Sequence, residues 1–456
     1  MRRVVKVSRI RIIITIIVVV LTTLLTGCTG KEPNEIAYVV ALGIDSTDDD
    51  NYKITIQYAN TTQISGGASE SGGKAGSEIV DNVTIEAPNI YAGVGLANNI
   101  VSKSFSMSHA KLIVFSKEIA EKGVKDMIET LVRSEEIRPD VFIAVANTTA
   151  NDYLTSVNPE MEVNPAQYYQ LIYQKNQLVG IPDGQLREFF TGLYTDNYDS
   201  ILPVAGVIEG SGGNSQNDDK GQSKDGQNEG SEGSSESLDS FESKSSNEKD
   251  ENEKEKDAEK NTSKYEYDIK NYIGGETTIE KKNKAEAIGA AVFEKDKMVG
   301  ELGEVETEIC KMLKGDYTYS YLTYYNNDTP DIPITVKTTQ QKKPKYKIDT
   351  DKKTVDIELY IESYLYSLPA DYNVENKIED FERDVANYTS SACTEFINNF
   401  TKKYNSDILK LNEKVKYKFL TNNQYNWFKK NVGWSEYKFS VCTNFKVRRT
   451  GLIVRE

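Results

Sequence analysis

Histidine is almost missing: His109 is the only one in 456 residues. Catalytic triads and histidine-bearing metal sites use imidazole to move protons or bind cations, so both lack their usual material. His109 precedes the compact strand expected at 110–115 and is expected to be structural. Cysteine is scarce too, with four residues and no metal-ligand spacing. Cys28 stands apart from the others. Cys310, Cys393 and Cys442 leave an odd number, which argues against a disulfide framework. Cys393 and Cys442 would pair only if the fold brought them together, and buried free thiols are the expected state. After residue 27 no apolar run is long enough to span a bilayer. The net charge of −15 argues against nucleic acid and against electrostatic adsorption to anionic lipid.

Phosphate, dinucleotide and calcium loops are missing as well. Gly72-Gly73-Lys74 looks like part of a phosphate loop, but Ala68 and Ala75 stand where it needs glycine and Ser/Thr. Gly93-Val94-Gly95 leads to Asn98 where a dinucleotide fingerprint needs Gly or Ala. The acidic stretch 45–50 lacks the glycine of a calcium loop and reads as a hairpin turn. Carboxylates are plentiful, so no pair is singled out for acid–base work. The inventory predicts no catalytic residue, metal or cofactor.

What is present begins at the N-terminus. Arg2, Arg3, Lys6, Arg9 and Arg11 precede an apolar run at 12–25, broken only by Thr15, Thr22 and Thr23. Leu25-Thr26-Gly27-Cys28 then has the form of a lipobox. The run is shorter than the ~20 residues of a spanning helix and reads as an export signal over 1–27, cleaved between Gly27 and Cys28. Cys28 would then carry acyl chains, and two chains hold a protein stably where one does not. An uncleaved anchor helix is the alternative. In both cases the body works outside the cytoplasm, at a membrane.

The body reads as α/β, mixed α+β in detail. Residues 36–45 and 52–58 form a hairpin, with a strand at 79–85 after a Gly/Ser-rich loop at 65–77. Pro88 opens a helix whose apolar face runs through Ile90, Val94, Ala97, Ile100 and Val101. Strands at 110–115 and 141–146 flank a helix capped by Ser116, in which Val124, Met127, Ile128, Leu131 and Val132 keep helical spacing. This first domain covers 28–195. A small middle domain, 196–315, has strands at 201–208 and 287–294 and a helix at 305–313. It is interrupted at about 210–264 by a segment too polar to bury a core, with 15 acidic and 8 basic residues, which is expected to be disordered. The C-terminal domain, 316–456, has strands at 317–325, 332–338 and 354–365. A long amphipathic helix follows at 374–404, striped by Val374, Ile378, Phe381, Val385, Tyr388, Ala392, Phe396, Phe400 and Tyr404. A last strand turns Tyr437, Phe439, Val441, Phe445 and Val447 to one side.

Several of these segments resemble, in order, the Ger(x)C family, the lipoprotein C-subunits of spore germinant receptors. They are Asn34-Glu35 with 39–45, Ser108-His109-Ala110 through Ser116, 133–140, and Leu202-Pro203-Val204 with Gly289-Ala290-Ala291-Val292-Phe293 and Lys297-Met298-Val299-Gly300. Tyr404-Asn405-Ser406-Asp407-Ile408 and Lys446-Val447-Arg448-Arg449 with 450–453 complete the set. Thr29-Gly30-Lys31 depart from the Trp-Asp usual after the family's cysteine. The resemblance implies a non-enzymatic three-domain lipoprotein with mixed sheets covered by helices, on the outer face of the spore inner membrane. It would act in nutrient-triggered germination with integral-membrane A- and B-type receptor subunits, presenting sheet edges and helix surfaces to them. The alternative is a stand-alone ligand-binding or adhesive lipoprotein.

Overall fold

Period-two strands and short capped helices assemble first into a large mixed sheet. The computed structural model describes residues 13–18, 35–49, 51–59, 80–158, 164–174, 180–195, 197–208, 271–277, 283–325, 333–367 and 377–449. Its first strands are β1 (Ile36–Ser46), β2 (Tyr52–Ala59) and β3 (Val80–Ala87). Helix α1 (Ile90–Ala97), β4 (Ser104–Ser106) and β5 (Leu112–Ser116) follow. Next come α2 (Lys117–Lys122), α3 (Lys125–Val132), β6 (Phe142–Ala146), α4 (Ala150–Ser156), α5 (Pro165–Tyr173) and α6 (Leu186–Thr195). Strands β7 (Ile201–Val207), β8 (Ala285–Glu294) and β9 (Lys297–Leu302) then complete nine strands among the described residues. The order is β3-β2-β1-β5-β6-β7-β8-β9, with β4 beside β1. Neighbours from β1 to β7 run parallel, and the flanks are antiparallel.

Both faces of this sheet are covered. Ile113 and Phe115 of β5 and Ile143 and Val145 of β6 pack with α1, α2, α3 and α6. Leu112, Val114, Phe142, Ala144 and Ala146 point the other way, under α4 and α5. That explains the unbroken apolar runs of β5 and β6, which two-sided burial requires. A bulge between Val39 and Ala41 shifts β1 by one residue and keeps Val39, Leu42 and Ile44 on one face. Under α4 and α5 the aromatic polar tips find partners. Tyr153 and Tyr173 share a hydroxyl contact of 2.8 Å, Tyr169 donates to Gln57 Oε1 at 2.5 Å, and Gln57 Nε2 donates to the Leu154 carbonyl at 2.8 Å. Asp45, at the end of β1, accepts the Ala150 and Asn151 amides at 2.6 and 3.0 Å and so caps α4.

Two helices differ from the sequence reading. The first is capped by Asn89, whose Oδ1 accepts the Ala92 amide at 2.9 Å, and it stops at Ala97. Asn98 Oδ1 accepts the Phe105 amide at 2.8 Å, which directs the chain towards β4 and leaves Ile100 69 % exposed, off the buried face. Ser116 does cap a helix, but Gly123, at φ 123°, ends it after six residues. The Val124 amide then bonds the Asp296 carbonyl, and α3 begins anew.

Helix α7 (Glu304–Lys314) leads to the second sheet, made of β10 (Tyr319–Tyr325), β11 (Pro333–Gln340), β12 (Lys345–Asp349), β13 (Thr354–Ser367) and β14 (Lys438–Arg449). β13 carries β12 and β11 end to end along one edge and β14, parallel, along the other. The parallel pair needs a crossover, supplied by α8 (Ile378–Tyr404), α9 (Leu411–Val415) and α10 (Asn422–Asn431). α8 buries Phe381, Val385, Thr389, Cys393, Phe396, Ile397, Phe400 and Thr401, so four residues of its inner face, Thr389, Cys393, Ile397 and Thr401, lie outside the apolar stripe.

The segment 196–315 carries no sheet of its own among the described residues, because β7, β8 and β9 are hydrogen-bonded into the first sheet. Yet Ile201, Ala290, Val292 and Leu302 pack into the core that holds α7, α8 and β13. Backbone pairing assigns these strands to the first sheet, while their side chains divide between the two cores, with Leu202, Val204, Ala291 and Phe293 in the first. The thiols also differ in part from expectation. Cys310 and Cys393 are free and buried, but Cys442 is free and exposed, since alternation on β14 buries Val441 and Thr443 and turns Cys442 outward.

Candidate functional site

Gly27, Cys28 and the acidic segment 210–264 lie outside the described residues. Residues 13–18 of the N-terminal apolar run are helical and exposed. No helix among the described residues is long and apolar enough to cross a membrane. Asn34 and 450–453 lie outside them too; the rest of the family-like segments can be placed, and several converge on one junction between the two sheets.

Gly300 on β9 faces Tyr404 at the end of α8. A Cβ there would fall 2.3 Å from the Tyr404 hydroxyl, so any larger residue would displace the ring. The helix then ends with Asn405 in the left-handed conformation. Asn405 Oδ1 accepts the Ser435 amide at 3.2 Å. Two residues on, Asp407 and Asp199 bond reciprocally. The Asp407 amide donates to Asp199 Oδ2 at 2.8 Å, and the Asp199 amide donates to the Asp407 carbonyl at 3.1 Å. The Asp407 carboxylate accepts the Leu411 and Asn412 amides at 2.7 and 2.8 Å and so caps α9. Burial pushes this carboxyl up to about 7, with the Asp199 charge adding and the two amides opposing. Lys410 pairs with Glu188 and lies 4.1 Å from the centre of the Tyr198 ring. Asp45 and Asp407 thus do the same job in the two halves, each a buried carboxylate at a helix start.

The outer edge of β14 is closed by α8. Asn398 Oδ1 accepts the Phe439 amide at 3.1 Å, Thr394 Oγ1 the Val441 amide at 3.0 Å, and Ser390 Oγ the Thr443 amide at 2.9 Å. Glu382 Oε1 accepts the Val447 amide at 2.8 Å. These side chains lie four or eight residues apart on the helix and meet every second or fourth residue on the strand, which matches the two periods. The expected presentation of sheet edges does not extend to this one, whose amides are taken from within the chain.

The family-like segment 133–140 borders an open groove of about 650 Å³ lined by Tyr91, Asn98, Phe105, Arg133, Ser134 and Glu136, among others. Two of its charged groups have partners in the chain. Glu136 Oε2 accepts the Met107 amide at 2.6 Å, and Arg133 pairs with Glu129 at 3.0 Å. His109 is exposed, with its ring edge-on to Tyr38 at 4.7 Å and its Nδ1 3.0 Å from Ser108 Oγ. Burial pushes the Cys310 thiol up to about 11 and Cys393 up to about 12, opposite to the shift an activated thiolate needs. Among the described residues no three His, Cys, Asp or Glu side chains converge on a metal-sized site. Sequence reasoning marked the segments of the junction but not their roles. A hydrophobic–polar pattern carries no sign of a contact between residues 199 and 407.

Comparison with known proteins gives concordant matches in both halves. Residues 30–207 match the model of the spore germination protein N-terminal domain, and residues 288–451 match that of the spore germination B3/GerAC-like C-terminal domain. Spore germination protein KC of Bacillus subtilis (strain 168) is 26 % identical over 174 residues, 35 % of this chain and 42 % of the relative. The putative spore germination protein YfkR of the same organism is 28 % identical over 145 residues, 32 % of this chain and 37 % of the relative. The chain therefore spans roughly two fifths of the length of these curated relatives. A crystal structure of the GerBC protein aligns over 89 % of this chain and 96 % of its own, with 15 % identity and a TM-score of 0.48.

Proposed function

From the premise that the chain belongs to the Ger(x)C family of spore germination proteins, we propose that it is the lipid-anchored C-subunit of a spore germinant receptor. The observation that carries this reading is the pair of family matches, in order, over both halves of the body. Its role is non-enzymatic: it positions and couples partner subunits of A and B type that are embedded in the membrane. Acyl chains on Cys28 confine it to the outer face of the spore inner membrane, with Gly27 as the last residue removed. An internally bonded junction suits such a part, since it lets the two sheets respond to partners as one body. Neither half can shift at 300 and 404, or at 199 and 407, without breaking contacts in the other.

Mass spectrometry of the chain extracted from spore membranes tests the anchor. The reading expects a mature N-terminus at an acylated Cys28, and a Cys28→Ala variant that is not acylated and is depleted from the membrane fraction. A wild-type chain that keeps residues 1–27 and carries no lipid contradicts the anchor.

A further inference from the structure

The segment that closes the second core on one side carries an exposed patch of unusual composition. A short 3-10 turn at Lys416–Lys418 leads through Phe419 and Leu420 to α10, which is capped by Thr421, whose Oγ1 accepts the Gln424 amide at 3.3 Å. α10 buries Tyr425 and Phe428 on its inner side, where the Phe428 ring lies tilted against Phe419 and edge-on to Trp434. On the outer side Trp427 stands exposed among polar residues, and Leu420 and Tyr417 are exposed just before the helix. Leu420 is 94 % exposed, Tyr417 80 % and Trp427 63 %, and the first two are the most exposed large apolar side chains among the described residues. Lys418, Leu420 and Trp427, with Phe419, Asn423 and Gln424, line an open groove of about 620 Å³.

The charge of this segment is the reverse of the whole. From residue 410 to 430 there are six lysines and one acid, Glu413, in a chain of net charge −15. Lys416, Lys418 and Lys430 are exposed around the apolar patch, with the Lys418 ammonium also donating to the Ile348 carbonyl. Lys429 is held in place, bonded to Asn197 Oδ1 at 3.1 Å and lying 5.0 Å from the centre of the Tyr425 ring. Tryptophan and tyrosine prefer the boundary between water and hydrocarbon, because their rings are apolar and their tips polar. Lysine keeps its ammonium at the headgroups while its stem lies along apolar surface. An exposed leucine between them is a poor surface residue in water and a good one in a bilayer boundary.

We propose that the surface formed by Tyr417, Leu420 and Trp427, ringed by Lys416, Lys418 and Lys430, seats in the headgroup layer of an anionic bilayer. Positive charge complements the anionic headgroups, and the three apolar side chains enter the boundary beneath them. The contact orients the C-terminal half against the membrane, something a flexible N-terminal tether alone does not do. It is independent of the anchor at Cys28, and the two are read by different signals.

The test uses the full chain and the two tryptophans. Trp434 is 3 % exposed, so the difference between the wild type and Trp427→Phe isolates the signal of Trp427. The chain is reconstituted with vesicles of phosphatidylcholine, with or without phosphatidylglycerol, whose acyl chains carry bromine as a quencher. On phosphatidylglycerol vesicles the Trp427 emission should move to shorter wavelength and be quenched. High salt, or omission of phosphatidylglycerol, should reduce the quenching several-fold. The double variant Lys430→Glu, Leu420→Glu should lose the quenching while its circular dichroism and melting temperature stay unchanged, both side chains being exposed. Emission and quenching that are the same with anionic vesicles as in buffer overturn the proposal. So does quenching retained by the double variant. Protection of Trp427 only when integral-membrane subunits are reconstituted alongside assigns the patch to a protein partner and equally overturns it. Failure of the lipid anchor appears instead as a missing acyl mass at Cys28, with the Trp427 signal unaffected.

Discussion

The two sheets solve the same burial problem differently. In the first, β5 and β6 bury all five residues each, because helices lie on both faces. In the second, β14 alternates buried and exposed residues from Lys438 to Lys446, because α8 covers one face. Its open face is a polar ladder. Ser440 Oγ donates to Asp356 at 2.6 Å, Asn444 Nδ2 to Glu358 at 2.8 Å, and Arg448 pairs with Glu362. The first sheet draws its stability from apolar area on two sides. The second draws on one side, and its outward residues are available to carry specificity at little cost in stability.

Substitutions should separate the two regions in order of size. Phe115→Ala removes a ring buried completely in the first sheet, and a loss of about 3–5 kcal/mol is expected in urea unfolding. A loss below about 1 kcal/mol would mean that the two-sided packing is not the source of its stability. An intermediate effect should come from pH. Burial raises both Asp407 and Glu308 to about 7, from 3.8 and 4.5. The folded chain therefore holds these protons more tightly than the unfolded chain does. Their contribution to stability is fully present below about pH 4 and is lost as pH rises through about 7. Asp407→Asn should flatten that slope in melting curves taken from acid to neutral pH, and an unchanged slope would rule Asp407 out as its source. The smallest effect belongs to the open face. Arg448→Ala should change stability by no more than about 1 kcal/mol, since its partner Glu362 lies on the solvent side and exposed pairs contribute little. A larger loss would show that the outward ladder is structural.

The same comparison explains what could be read in the sequence. β5, β6, β14 and α8 were legible because each writes its burial as a run or a period. The stripe on α8 misses four residues of its buried face: Thr389, Cys393 and Thr401 do not stand out by hydrophobicity, and Ile397 directly follows Phe396. Ser390, Thr394 and Asn398 gave no local sign that they bond the amides of a strand some fifty residues away. The middle segment was read as a unit of its own because pairing of β7 with β6 is non-local, and its strands bury side chains towards both cores. Asp407 was visible as part of a family-like segment, while its cap and its bond to Asp199 depend on the chain meeting itself 208 residues away. Total charge concealed the lysine-ringed patch at 416–430, because a sum over the chain carries no information about position. Cys28 is the opposite case, since the lipobox reading rests on local sequence alone.

The measurement closest to the central claim is the nutrient response of spores that lack this chain. The account predicts that deletion abolishes or impairs germination with a specific nutrient, that the wild-type chain restores it, and that Cys28→Ala restores it poorly. Unchanged germination of the deletion strain across a broad nutrient panel would contradict a role in a germinant receptor.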